Sequence, residues 1–211
     1  MCRRALLAIL LALFLRSEPL SAALSFERHL SSITYLVENE GVQCTTWSIN
    51  ERQGLWITAA HCAVIMTEDG DIYARTLFLR TKPVTVVRFD LSSDLALLKA
   101  DVHRPGLRLG GLPAAGDAAT VYGYPLGIPA PVALFVHVAN PWYPYEGWSQ
   151  AMLFSGHGWP GHSGSPIFDR RGRVISVCQA TVVHGSRGDV GGMLGVAWAP
   201  LKAFGVDLWE S

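Results

Sequence analysis

The order of apolar and polar positions along the chain predicts an all-β protein. From Ile33 onward, short apolar or alternating runs are separated by turn-forming residues about every ten positions, which is typical of a β-sandwich or β-barrel. We predict twelve strands in two groups of six. The first group covers residues 33–38, 43–50, 54–58, 75–82, 84–90 and 95–99. The second covers residues 119–123, 132–139, 150–154, 165–168, 174–182 and 193–198.

Two segments lack this strand pattern. Residues 103–116 are rich in Gly and Pro and have no periodicity, so they are predicted to link the two groups of strands. Residues 200–209 carry apolar side chains at mixed spacing and predict a short C-terminal helix.

The first 23 residues differ in kind from the rest. Arg3 and Arg4 precede an apolar run of about eleven residues, and the small residues 21–23 follow it. A helix that spans a membrane needs roughly 20 apolar residues. The pattern therefore predicts an export signal cleaved after Ala23, with an uncleaved anchor as the alternative. The cleaved chain would be secreted or periplasmic, without stable membrane insertion.

The composition favours a globular protein and argues against a nucleic-acid-binding one. Half of the residues are apolar, which is enough for a sizeable core. Lys plus Arg equals Asp plus Glu at 17 each, and no long run of one sign indicates a nucleic-acid partner. Without the leader, three cysteines remain: Cys44, Cys62 and Cys178. In an oxidising compartment these allow at most one intramolecular bridge and leave one free thiol.

One Gly-rich segment offers a candidate nucleophile. Ser163 lies within residues 160–166, where flanking glycines permit a tight turn before a predicted strand. In such a turn the amides of Gly161 and Ser163 could both point at one substrate oxygen and form an oxyanion hole. An ordinary turn between strands is the alternative reading of this segment alone.

Two other segments offer a base and an acid, the groups that a serine nucleophile requires. His61 directly follows an apolar strand, and a bridge between Cys44 and Cys62 would close a loop of about eighteen residues around it, worth roughly 3 kcal/mol. Asp94 precedes an apolar strand that draws it inward, where a partner such as His61 would make its charge tolerable. Asp90 is the rival acid, but it precedes a Ser-Ser turn.

Taken together, the three segments resemble those of trypsin-like serine peptidases. Residues 58–62 (TAAHC), 94–98 (DLALL) and 161–166 (GHSGSP) resemble the family's histidine, aspartate and serine boxes, in the family's order. The likeness is nearest to the compact bacterial-type branch, which includes HtrA-type and glutamyl endopeptidases. It implies two six-stranded antiparallel β-barrels of chymotrypsin-like type with a short C-terminal helix, and no cofactor or metal.

The resemblance also implies domain bounds and roles. Residues 24–211 would form one protease domain, with barrel 1 at about 30–102, a linker at about 103–117 and barrel 2 at about 118–211. No PDZ module is expected, because the chain stops about ten residues after its last predicted strand.

The implied activity is serine endopeptidase cleavage of polypeptides through an acyl-enzyme. Ser163 would be the nucleophile, His61 the general base and Asp94 its orienting acid, with the Gly161 and Ser163 amides as the oxyanion hole and a Cys44–Cys62 disulfide. His162 occupies the position of the acid that zymogens use for activation, so no such switch is expected. A catalytically silent barrel that binds peptides is the alternative function, since a fold does not guarantee chemistry.

Substrate specificity is less defined. His157 stands six residues before Ser163, where enzymes that prefer Arg or Lys carry an aspartate, and Cys178 stands where glutamyl endopeptidases carry a histidine. Neither preference is therefore expected. His157 and Cys178 are candidate lining residues of the substrate pocket, with Cys178 as an apolar wall and not a nucleophile. The aromatic residues 141–148 are predicted to form a loop, which would either contact substrate or pack over the end of the barrel.

Overall fold

The computed structural model describes residues 29, 32–37, 43–69, 73–75, 81–145, 148–184 and 189–209. The predicted signal peptide, residues 1–23, lies outside these residues and stays a prediction. Within the described ranges, no helix is both long and apolar enough to span a bilayer.

The first six strands close into an antiparallel barrel, here called barrel 1. Around the barrel the strand order is β1-β2-β3-β6-β5-β4, and pairing of β1 with β4 closes it. Closure leaves no unpaired sheet edge. The strands are β1 Ile33–Val37, β2 Gln43–Asn50, β3 Leu55–Ala59, β4 Tyr73–Arg75, β5 Thr81–Asp90 and β6 Leu95–Ala100.

The second six strands form barrel 2, with the order β10-β11-β12-β9-β8-β7 and closure through β10 and β7. The prediction of two six-stranded antiparallel barrels is therefore confirmed. The strands are β7 Ala118–Gly123, β8 Val132–Tyr145, β9 Trp148–Ser155, β10 Pro166–Phe168, β11 Val174–His184 and β12 Asp189–Val196.

Two helices accompany the barrels. Helix α1 (Ala60–Asp69) starts directly after β3, and its first turn is buried at Ala60 and Cys62. Helix α1 was not predicted from the sequence, because its short apolar run has neither a cap nor a clear helical period. Helix α2 (Trp198–Trp209) confirms the predicted C-terminal helix, although Trp198 begins the helix and does not end the last strand as predicted.

The aromatic segment 141–148 was predicted wrongly as a loop. Strand β8 continues through Tyr145 and pairs with β9, which starts at Trp148. Pro141 and Pro144 are unfavourable in a strand because proline cannot donate to a ladder. The β8–β9 register shifts repeatedly along this stretch, and such bulges are where a strand accommodates proline.

The prediction of a single strand at 75–82 is wrong, because Arg75 of β4 pairs antiparallel with Thr81 of β5 and the two ends therefore belong to different strands. The structure has β4 ending at Arg75 and β5 beginning at Thr81, and residues 76–80 lie outside the described part of the chain.

The two barrels pack through a shared apolar core. Trp47 and Ile57 of barrel 1 belong to the same buried cluster as Tyr122 and Phe168 of barrel 2 and Leu201 of α2, all at most 4% exposed. Burying such large side chains stabilises each by about 1.5–3 kcal/mol. This contact brings β2 and β3 against the Gly-rich segment at 160–166, which positions the candidate site.

Candidate active site

A disulfide joins Cys44 on β2 to Cys62 on α1, as the sequence resemblance implied. The two cysteines are 18 residues apart along the chain. The bridge ties the first turn of α1, which carries His61, to the neighbouring strand. The imidazole of His61 is partly exposed, with 37% of its side-chain surface accessible.

Replacing both Cys44 and Cys62 by alanine is expected to lower the free energy of unfolding by about 3 kcal/mol, because the unfolded chain regains the entropy of the closed loop. Urea unfolding of the variant and of the oxidised parent protein at neutral pH measures this. Cys178→Ala is the matched control, since it removes a buried cysteine and keeps the bridge. Equal stability of the double variant and the parent would contradict a stabilising role for the bridge.

Asp94 is buried and bonded to His61 in two ways. Its side chain is 4% exposed, its Oδ2 lies 2.8 Å from Nδ1 of His61, and its Oδ1 accepts from the His61 backbone amide at 2.8 Å. A carboxylate at Nδ1 favours the tautomer with its proton on that nitrogen, which leaves a lone pair on Nε2. Asp94 holds a left-handed conformation (φ 52°) just before β6, and its carbonyl accepts from the amide of Ala60 at 3.1 Å.

The rival acid, Asp90, has a local role instead. Its carboxylate accepts from the Ser92 amide and hydroxyl at 2.9 and 2.7 Å and from the Ser93 hydroxyl at 2.6 Å. The hydrogen bond from Ser93 is the largest cause that lowers the pKa of Asp90. Asp90 therefore stabilises the turn before β6, and of the two acids it is Asp94 that contacts His61.

Hydrogen bonds from barrel 1 hold the backbone around Ser163. The carbonyl of Gly161 accepts from Thr45 Oγ1 at 2.9 Å, that of Ser163 from the Thr45 amide at 2.8 Å, and that of Gly164 from Trp47 Nε1 at 3.1 Å. Both donors belong to β2, more than 110 residues earlier in the chain. Sequence reasoning missed Thr45 and Trp47, because a threonine and a tryptophan in a β-strand carry no signal of such contacts.

The same contacts link the Ser163 segment to the segment that carries His61. Thr45, which binds the Ser163 carbonyl, follows Cys44, and the disulfide joins Cys44 to the neighbour of His61. Gly164 also packs directly on β3: a Cβ added there would lie 3.1 Å from the amide of Ala59. The structure thus gathers the three predicted segments at the junction of the two barrels.

Hydrogen bonds to their carbonyl groups fix the orientation of two peptide planes beside Ser163. The Pro160 carbonyl accepts from the Leu126 amide, and the His162 carbonyl from the Ser165 amide, each at 2.8 Å. In a trans peptide the C=O and the N–H point in opposite directions. The N–H groups that follow these carbonyls, those of Gly161 and Ser163, therefore point away from the bonded partners.

These two amides are available to a ligand. Within the described residues, neither the Gly161 amide nor the Ser163 amide donates to a backbone carbonyl. Gly161 has φ 96°, and a Cβ there would lie 2.4 Å from the carbonyl oxygen of Tyr124, so only glycine fits. Two free amides that flank one residue beside a serine hydroxyl are what an oxyanion needs.

The Ser163 hydroxyl donates to the carbonyl of Gln179 at 3.2 Å. In the described part of the chain it makes no hydrogen bond to His61. The geometry therefore joins His61 to Asp94 directly, whereas the Ser163 hydroxyl is turned toward β11.

A pocket of about 390 Å³ opens beside Ser163, between residues 157–160 on one side and 178–181 on the other. Both predicted pocket residues, His157 and Cys178, line it. Among the described residues that line it, none is Asp, Glu, Lys or Arg. Burial, with the Asp94 charge as a smaller cause, raises the pKa of Cys178 to about 12, so this thiol stays protonated at neutral pH and is not a nucleophile.

His162 holds the turn that leads into Ser163. Its amide donates to the Trp159 carbonyl at 2.9 Å, and its Nδ1 accepts from the Trp159 amide at 3.1 Å. Burial lowers the pKa of His162 to about 4, and the neighbouring His157 adds to the effect, so the ring is neutral at pH 7. Sequence reasoning noted His162 only as the replacement of an acid and missed this role.

Comparisons with known proteins agree with this architecture. Residues 44–177 match the trypsin-like peptidase domain family. A search of curated proteins found no match. The fold resembles the HtrA-type protease AlgW with a tripeptide, with a TM-score of 0.74 at 20% identity over 89% of this chain and 63% of that one. It also resembles a serine endoprotease from Yersinia pestis, with a TM-score of 0.71 at 14% identity over 89% of this chain and 66% of that one.

A third similar structure is the inactive form of a protein from M. tuberculosis H37Rv with a serine-to-alanine mutation. Its TM-score is 0.69 at 17% identity, over 89% of this chain and 91% of that one. At such identities the likeness shows the fold alone. This chain spans less than two thirds of the AlgW and Yersinia pestis chains.

Proposed function

The chain belongs to the trypsin-like peptidase family, and from this membership we propose that it is a serine endopeptidase that cleaves polypeptides through an acyl-enzyme. The observation that carries the proposal is the pair of 2.8 Å hydrogen bonds by which buried Asp94 holds His61 at the junction of the two barrels. A buried carboxylate with this partner sets the imidazole tautomer that a general base needs.

In the first step the Ser163 hydroxyl turns from the Gln179 carbonyl toward His61 by rotation about its Cα–Cβ bond. Its oxygen attacks the substrate carbonyl carbon while its proton passes to Nε2 of His61. Asp94 stabilises the imidazolium that forms. The negative charge that develops on the substrate oxygen is bound by the amides of Gly161 and Ser163.

In the second half, the tetrahedral intermediate collapses and the C–N bond breaks. His61 gives its proton to the departing amine, and the acyl group remains on Ser163. A water molecule then attacks the ester, again with His61 as the base, and this releases the acid product and restores the serine.

The pocket beside Ser163 would hold the side chain of the residue before the scissile bond. Because none of the described residues that line it is Asp, Glu, Lys or Arg, a charged substrate side chain would lose its hydration without gaining an ion pair with one of these residues. We therefore expect an uncharged residue at this substrate position.

The alternative function is a silent barrel that binds peptides without cleaving them. The hydrogen bond from Ser163 to Gln179, in place of one to His61, is the observation that favours it. At 3.2 Å this bond is longer than a usual O–H···O hydrogen bond, and a neutral bond of this kind contributes only about 0.5–1.5 kcal/mol, so the hydroxyl can exchange it for another partner. The family membership and the His61–Asp94 pair favour the enzyme.

Labelling with a fluorophosphonate separates the two functions. The folded protein is expected to form a covalent phosphonyl adduct on Ser163, because only an activated serine displaces fluoride at a useful rate. Mass spectrometry after digestion locates the adduct, and protein unfolded in urea is the control that should not react. Folded protein without an adduct on Ser163 would favour the binding module.

Export is part of the proposal. The leader at residues 1–23 would direct the chain to an oxidising compartment, secreted or periplasmic. The Cys44–Cys62 disulfide supports this, because such bridges persist where thiols are oxidised.

A further inference from the structure

The side-chain hydroxyl of Thr45 makes two hydrogen bonds that cross between the barrels. Thr45 lies on β2 and is 0% exposed. Its Oγ1 donates to the Gly161 carbonyl at 2.9 Å and accepts from the Tyr124 amide at 3.0 Å. Both roles are fixed, because a carbonyl can only accept and an amide N–H can only donate. These partners lie 116 and 79 residues away along the chain, so one hydroxyl of barrel 1 holds two backbone groups of the second half.

Three consecutive peptide planes form the proposed oxyanion hole. The first plane, between Pro160 and Gly161, carries one of the two free amides. The third plane, between His162 and Ser163, carries the other. The middle plane joins Gly161 to His162, and its orientation sets the spacing and direction of the two amides. Gly161 has φ 96° and the wide backbone freedom of a glycine, so steric contacts of a side chain do not fix this middle plane.

Hydrogen bonds at both ends fix the middle plane instead. Its carbonyl accepts from Thr45 Oγ1, and its N–H, that of His162, donates to the Trp159 carbonyl at 2.9 Å. The bond to Trp159 lies within the same turn. The bond from Thr45 therefore ties the middle plane to the barrel that carries His61.

The second bond of the hydroxyl leads to the first plane. Tyr124 directly precedes the 3₁₀ turn Pro125–Gly127, and within that turn the Leu126 amide donates to the Pro160 carbonyl at 2.8 Å. By accepting from the Tyr124 amide, the Thr45 hydroxyl anchors the start of the turn that orients this plane. One hydroxyl thus acts directly on the middle plane and indirectly on the first.

We propose that the Thr45 hydroxyl is a positioning group that holds the Gly161 and Ser163 amides in the arrangement that an oxyanion requires. The inference rests on the proposed endopeptidase function and deepens it. Without the hydroxyl, the buried Gly161 carbonyl loses this partner, and the freedom of glycine lets the middle plane rotate toward another donor. Because the two amides stabilise charge that develops only in the transition state, the loss should appear in kcat and not in KM.

The test compares Thr45→Val, Thr45→Ser and Thr46→Val with the unaltered protein, on one peptide that the unaltered protein cleaves. Valine keeps the shape of threonine without its hydroxyl, and serine keeps the hydroxyl. All three variants retain the backbone amide that donates to the Ser163 carbonyl. Thr46→Val is the matched control, because Thr46 is 1% exposed and its hydroxyl donates to the Ile57 carbonyl at 2.8 Å, within barrel 1. Circular dichroism gives the folded fraction of each variant.

The proposal expects Thr45→Val to lower kcat per folded molecule by about a hundredfold, with KM changed by less than about threefold. Thr45→Ser and Thr46→Val should each keep kcat within about threefold of the unaltered protein. Loss of stability alone would lower the folded fraction of Thr45→Val and leave kcat per folded molecule unchanged.

Three results overturn the inference alone: an unchanged kcat in Thr45→Val, an equal loss of kcat in Thr45→Ser or Thr46→Val, or a rise in KM without a fall in kcat. If Thr45→Val is unfolded, Thr45→Ala replaces it under the same limits, because it removes the hydroxyl without placing a new methyl group against the Gly161 carbonyl. If Thr45→Ala is unfolded as well, the hydroxyl serves folding and the inference is wrong. An unaltered protein that neither labels on Ser163 nor cleaves peptides overturns the endopeptidase function together with it.

Discussion

Ser163→Ala is expected to lower kcat by about a million-fold and to leave the fold intact. Loss of the nucleophile removes the acyl-enzyme route, and only the oxyanion amides and substrate binding remain to accelerate hydrolysis. Within the described ranges, the hydroxyl makes one hydrogen bond, to the Gln179 carbonyl, so its loss should change the free energy of unfolding by less than about 1 kcal/mol. Peptide cleavage and urea unfolding of the same preparation measure both quantities.

Ser155→Ala is the matched control for this experiment. Ser155 lies exposed on β9, its hydroxyl accepts from the His137 amide at 3.0 Å, and it is not among the residues that line the Ser163 pocket. Its loss should leave kcat unchanged. If Ser163→Ala kept the activity of the parent protein, another residue would have to be the nucleophile and the proposed mechanism would be wrong.

Asp94→Asn is expected to lower kcat by about 10⁴-fold. Asparagine keeps the shape, but its amide N–H₂ donates to Nδ1 of His61 and so favours the tautomer with the proton on Nε2. That nitrogen can then no longer accept the proton of Ser163. The measurement is kcat with a peptide substrate, with circular dichroism to check that the variant is folded.

Asp90→Asn provides a direct comparison, because Asp90 is the acid that the sequence offered as a rival. Its carboxylate bonds to Ser92 and Ser93 and contributes to the turn before β6. We expect a modest loss of stability and a change in kcat of less than a few fold. A large loss in Asp90→Asn with normal activity in Asp94→Asn would reverse the assignment.

Much of the fold could be predicted from local patterns. Strand alternation and turn residues placed most of the twelve strands close to their bounds, because both signals arise from neighbouring residues. The patterns failed where local and tertiary forces oppose each other. Pro141 and Pro144 argue against a strand, yet β8 accommodates them in a bulged pairing with β9.

The candidate site likewise has residues that could be predicted from local patterns and residues that could not. The small and charged residues of the three segments marked His61, Asp94 and Ser163 as candidates, and the structure places Asp94 against His61 as expected from its position before a buried strand. No local feature of the sequence indicated that Leu126 contacts this site. Its amide donates to the Pro160 carbonyl, and this bond joins positions more than thirty residues apart in the chain.

By itself the sequence determined the strand pattern, the six-and-six division, the cysteines able to pair and the chemical groups on offer. Tertiary structure alone decided which acid meets the imidazole, and that β2 of one barrel supplies the donors that hold the serine segment of the other. The physical reason is that hydrogen bonds such as those from Thr45 and Trp47 join residues more than 110 positions apart. Their geometry exists only after both barrels have closed and packed on one core.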